Sequence, residues 1–151
     1  MKLLAKLKRS CEWWFDRLCD KKISFSDSST VTRFINSKKH RTRNHEGKMT
    51  ATSDAFIYPE TEQELSLAHI DGLQNGKIWT IGDKRVFRKA CKGAIARADM
   101  NVAKLKDASF KDFSIIRDNA EFWRHVTAKA TMNKLLWATK LSMLAELVEK
   151  K

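Results

Sequence analysis

The stretch KRVFRKACKGAIARADMNVAKLK, Lys84 to Lys106, decides how the rest of the chain is read. At about 100° per residue, Val86, Phe87, Ala90, Cys91, Ala94, Ala98 and Leu105 fall in one arc of roughly 140°. Lys84, Arg85, Arg88, Lys89 and Lys92 fall in an arc on the opposite side. The pattern predicts an amphipathic helix with Asp83 as its N-cap and Gly93 as its weak point. The cationic arc contains no acid, so pairing between residues four apart cannot neutralise it, and the like charges repel. A phosphate backbone would relieve that repulsion and release counterions.

Upstream, Pro59, the acids Glu60, Glu62 and Glu64, and the pair Asn75-Gly76 predict a helix from Glu60 to Gln74. Lys77 to Ile81 alternates and reads as a short strand or an ordered turn. This helix and the basic one suggest a helix-turn-helix, but Asn75 to Asp83 is too long for its tight turn. Downstream, residues 107–118 fit either a short helix or a strand. A long helix is expected from Asn119 to about Glu149, striped by Phe122, Val126, Ala130, Trp137, Leu141, Leu144 and Val148.

Toward the N-terminus, Leu3, Leu7, Cys11, Trp14 and Leu18 repeat at helical spacing and predict an amphipathic helix from Lys2 to Asp20. Ser28 or Ser29 is placed to cap a short helix, Thr30 to Asn36, with Val31, Phe34 and Ile35 as its apolar points. Residues 37–55 have no apolar period. Within them Lys38, Lys39, Arg41, Arg43 and Lys48, with His40 and His45, make a basic loop or flexible arm.

The chain has 151 residues, 30 Lys+Arg against 18 Asp+Glu, and a net charge of +12. Residues 1–50 alone hold 13 of the basic and 5 of the acidic side chains, so the charge is uneven. One proline and five glycines are few breakers, which leans away from a sandwich or barrel. The expected fold is mostly α: one domain over residues 1–151, a bundle of about five helices, with the basic arm near residues 37–55. No apolar run is long enough to cross a membrane, and the basic start lacks the apolar centre and cleavage site of a secretory signal. Cys11, Cys19 and Cys91 have no redox or zinc spacing and read as reduced thiols, giving an expected cytoplasmic location.

The expected function is non-catalytic binding of nucleic acid, DNA or RNA, as an accessory subunit of a nucleoprotein assembly. Its expected contacts are Lys84, Arg85, Arg88, Lys89 and Lys92 on the helix and Lys38, Lys39, Arg41, Arg43 and Lys48 on the arm. Trp13 and Trp79 stand in cationic or polar surroundings and are candidates to stack on bases, although core packing is the commoner fate of such rings. Trp14, Trp123 and Trp137 lie on apolar stripes and are assigned to the core. Catalysis, metal and cofactor are not expected. The chain has no HExxH, no CxxC and no phosphate-binding glycine string, and Glu60, Glu62 and Glu64 point apart on a helix. His40 and His45 have no ordered carboxylate partner, and His69 and His125 read as isolated structural residues on helices. Two rival readings are a module that binds or inhibits an acidic protein, and a peripheral membrane binder acting through the first helix, with the membrane the less favoured partner.

Overall fold

The computed structural model describes residues 25–58, 64–87, 90, 92–109, 113–118 and 124–151. It overturns the helical bundle. Among the described residues there are eight strands: β1 (Thr30–Ile35), β2 (Arg41–Arg43), β3 (Met49–Ala51), β4 (Leu65–His69), β5 (Ala96–Asn101), β6 (Phe113–Arg117), β7 (His125–Ala130) and β8 (Glu146–Glu149). The α-helices among them are α1 (Asn75–Ile81), α2 (Val102–Ser109) and α3 (Lys134–Leu144). Six strands form one sheet in the order β6-β7-β4-β1-β5-β8, with every pairing antiparallel, and β2 and β3 form a separate hairpin.

The strand β1 shows why helical periodicity misleads here. It lies inside the sheet, and both of its faces are covered. Val31 and Ile35 pack to one side, Thr32 and Phe34 to the other, and all four are buried. A strand buried on both faces loses its simple alternation. The apolar residues then fall at 31, 34 and 35, the spacing of a helix.

One face of the sheet carries the main core. Val31, Ile35, Leu65, Leu67, Ala96, Ala98, Met100, Val126 and Ala128 meet Ala51, Phe56, Leu105, Trp137, Ala138 and Leu141. Trp137 is fully buried, and its indole N–H donates to Ser109 Oγ at 2.9 Å, tying α3 to the end of α2. On the opposite face, α1 lays Ile78, Trp79 and Ile81 over Phe34 and Ala68.

The predicted helix from Lys84 to Lys106 divides into four parts. Gly82–Val86 prolong α1 as one wide π-turn, closed by the Phe87 N–H donating to Gly82 O at 2.9 Å. The chain then leaves helical structure, enters β5 and continues as α2. Asp83, expected to cap a helix, instead accepts the Ala94 N–H at 2.9 Å and pins the returning chain. Ala96 and Ala98 read as helix formers, yet on β5 they are small side chains beneath a packed layer. Burial overrides intrinsic preference there.

The expected long helix from Asn119 to Glu149 likewise becomes β7, α3 and β8 over its described part. Asn133 starts α3, its side chain accepting the N–H groups of Leu135 and Leu136. The Glu60–Gln74 helix is replaced by β4, and Asn75-Gly76, expected to end a helix, opens α1. The expected helix from Lys2 to Asp20 lies outside the described residues. Among the described residues no helix is long and apolar enough to cross a membrane.

Candidate functional site

The basic arm is an ordered hairpin. Asn44 Oδ1 accepts the N–H groups of Glu46 and Lys48 at 3.1 and 2.9 Å, and Gly47 takes the left-handed φ of 78° that the turn requires. Lys38 and Lys39 begin the turn of 3-10 helix that leads into it, while Arg41, Arg43 and Lys48 lie on or beside its strands.

Strand β8 brings the hairpin and the π-turn to one edge of the sheet. Register places Glu149 opposite Ala96 of β5. The Arg41 guanidinium pairs with Glu149, which fastens the hairpin. The next residue, Lys150, pairs with Asp83 at 2.5 Å, which fastens the π-turn. An open depression of about 550 Å³ lies here, lined by Asp83, Phe87, Ala90, Lys92, Gly93, Ala94, Ile95 and Lys150.

Lys84, Arg85 and Lys92 are exposed near this edge, and Lys38, Lys39, Arg43 and Lys48 are exposed on the hairpin side. Arg43 donates to the Gly47 carbonyl at 2.9 Å. None of these seven cations pairs with a carboxylate among the described residues; Arg41 does. They do not share a helix face, because that helix does not form. Arg88, Lys89 and Trp13 lie outside the described residues. Trp79 is buried, and Arg97 and Lys150 stand 5.1 and 5.8 Å from its ring centroid, so base stacking on it is blocked.

The two histidines read as isolated helical residues sit on β4 and β7, and both are in hydrogen-bonded networks. Arg117 Nη1 donates to His69 Nδ1 at 3.2 Å, so the His69 proton is on Nε2, which donates to Asp71 Oδ2 at 2.9 Å. Burial holds the His69 pKa below its ordinary value and nearby Arg124 adds to this, against the opposing pull of Asp71. Burial raises the Asp71 pKa, but bonds from His69, the Thr30 amide and Ser29 outweigh it and hold the group below the usual carboxylate range. Arg117 is lowered by burial and by Arg124. His40, on the arm, is lowered by burial and then by Lys39.

The second network joins three strand regions. His125 Nδ1 lies 2.6 Å from Asp118 Oδ1, and His125 Nε2 lies 2.8 Å from Ser66 Oγ. Thr127 Oγ1 donates to Asp118 Oδ2 at 2.5 Å. Sequence reasoning did not single out Ser66, Asp118 or Thr127. Ser66 is on β4, Thr127 on β7 and Asp118 just past the end of β6, with no local motif, so only the pairing of β7 with β4 and β6 reveals them. Among the described residues no cluster of His, Cys, Asp or Glu has the form of a metal site.

No protein-family model, curated protein or solved structure matches this chain.

Proposed function

We propose that this protein binds nucleic acid along the β8 edge of its sheet. The carrying observation is that consecutive residues, Glu149 and Lys150, fasten the basic hairpin and the basic π-turn to the same edge. Two cationic segments remote in sequence thereby flank that edge, the hairpin on the main-core face and the π-turn on the opposite face. Seven of their exposed cations have no carboxylate partner among the described residues. A phosphodiester backbone supplies the missing countercharge, and the net charge of +12 favours its approach. Contacts of this kind give affinity and position with little sequence preference.

Fluorescence anisotropy with labelled single- and double-stranded DNA and RNA tests this at two salt concentrations. The logarithm of the binding constant should fall with the logarithm of salt by about 0.9 per duplex phosphate neutralised. Lys84→Glu/Arg85→Glu/Lys92→Glu and Lys38→Glu/Lys39→Glu/Arg43→Glu/Lys48→Glu should each weaken binding and flatten that slope. If one set of charge reversals has no effect, the two segments do not act as one surface. If no polynucleotide binds at low salt, the reading is wrong, and an acidic protein partner takes its place.

A further inference from the structure

We propose that Ser66, His125 and Asp118 form a nucleophilic relay that transfers the acyl group of a carboxylic ester to water, with Ser66 as nucleophile. A serine hydroxyl is a weak nucleophile at neutral pH. It needs a base within hydrogen-bond reach, and that base needs a third group to fix its tautomer. Both relations are present here, at 2.8 Å from serine to histidine and 2.6 Å from histidine to aspartate.

The direction of the relay follows from its donors. An ionised Asp118 is only an acceptor. One of its oxygens takes the Thr127 hydroxyl, and the other takes the His125 Nδ1–H. His125 Nε2 therefore carries the lone pair and accepts from the Ser66 hydroxyl. Thr127 also keeps Asp118 in place, because its backbone is opposite Ser66 in the β4–β7 register. The His125 ring is buried, while Ser66 is half-buried and Asp118 is open to solvent.

The sheet opens beside the nucleophile. The β1–β4 register comprises Val31↔His69 and Thr32↔Ala68 and goes no further toward Ser66. The Ser66 carbonyl accepts from Arg33 Nη1 at 2.8 Å instead of from a strand amide. In an antiparallel strand the N–H and C=O of one residue point the same way, so the Ser66 amide faces this gap too. That amide is placed to favour an oxyanion forming beside Ser66, while Arg33 is committed to the Ser66 and Ala55 carbonyls. Ile116 is opposite Thr127 in register, on the same face, and is largely exposed, offering apolar contact to an acyl chain.

The step balances without another reagent than water. Ser66 Oγ bonds to the ester carbonyl carbon as its proton passes to His125 Nε2, and the carbonyl electron pair moves onto oxygen. Collapse breaks the bond to the alkoxide, which leaves with the proton from Nε2. Water then adds to the acyl-serine by the same route, its proton passing through Nε2 to Ser66 Oγ, and the carboxylic acid departs.

The test treats the full chain with a fluorophosphonate probe, whose P–F bond an activated serine displaces, followed by intact mass and peptide mapping. The expected result is a single adduct on Ser66, and release of p-nitrophenol from p-nitrophenyl acetate that Ser66→Ala abolishes. His125→Gln should slow labelling at least a hundredfold. Asp118→Asn should slow it by a factor on the order of 10⁴, because the wrong tautomer faces serine. The same variant should remove the far-downfield Nδ1 proton resonance of His125 without a change in far-UV circular dichroism. The wild-type measurement needs no variant to fold. If folded wild-type protein is not labelled at Ser66, or His125→Gln is labelled at the wild-type rate, the relay is structural and the proposal is overturned.

Discussion

The guanidinium of Arg97 lies 5.1 Å from the ring centroid of Trp79. Its Nε donates to both carboxylate oxygens of Asp99 at 3.1 and 3.0 Å, and its Nη1 donates to Asn75 Oδ1 at 2.7 Å. One side chain therefore joins β5, the ring of α1 and the first residue of that helix. Both charged groups are largely buried, a state that costs solvation and repays it only when every partner is present.

Arg97→Met removes the partner of a buried carboxylate and should cost about 3–5 kcal/mol in urea denaturation. Burial already raises the Asp99 pKa, against bonds from Thr32 and Arg97. A raised carboxyl binds its proton more tightly in the folded chain, so its contribution is full below its unfolded value and lost as pH rises through the folded one. Without Arg97 that rise is larger. The deficit of the variant should therefore be greater at pH 8 than at pH 5, and Arg97→Met/Asp99→Asn should recover part of it.

His69 gives stability the opposite dependence. Its lowered pKa means that the unfolded chain takes up the proton first as pH falls through about 6.5. Stability should be full above that pH and decline below it, read as the melting temperature between pH 7.5 and 5. His40 is lowered as well and adds to the same slope. His69→Gln should flatten the slope in part, and an unchanged slope would exclude His69 as its source.

Gly82 is required by a close approach. A Cβ there would stand 2.6 Å from Phe34 Cδ1 and 3.0 Å from the Ala94 Cβ. Gly82→Ala should force α1 away from the sheet, at a cost of about 1–3 kcal/mol. Phe34→Leu in the same chain should relieve part of the clash, which paired denaturation curves would show as non-additive.

Trp137 fills the main core and packs edge-on against Tyr58 and Phe113, with centroids 6.1 and 6.2 Å away. Trp137→Ala should destabilise by about 3–5 kcal/mol. Trp137→Phe keeps much of the volume but loses the bond to Ser109, and should cost about 0.5–1.5 kcal/mol for that bond. Chemical denaturation followed by far-UV circular dichroism separates the two.

Much of the core was legible in the chain, and the element types were not. Trp137, on an apolar stripe of the sequence, reads as a core residue, and it is fully buried. The segment 107–118, open to either helix or strand, holds the end of α2 and then β6. Elsewhere a sheet covered on both faces gave apolar spacings that imitate a helix, as at Val31, Phe34 and Ile35. Alanines 96 and 98 strengthened the imitation because they favour helices when nothing is packed on them. The low breaker count also misled. Asn44 closes a hairpin through its side chain, so that turn uses a single glycine, Gly47. The arm cations could be named from sequence. Their meeting with the π-turn depends on where residue 149 pairs, and the serine–histidine contact on the pairing of strands 59 residues apart.

The inner position of β1 also sets the order of assembly. This strand precedes both of its neighbours in the chain, and its partners on β5 are more than 60 residues downstream. On a ribosome it emerges with two bare flanks; β4 follows to cover one, but the longer-paired flank stays open until β5 has been made. Such an interval invites pairing with foreign strands, so the yield of native protein should depend on synthesis rate and on chaperones that shield extended segments.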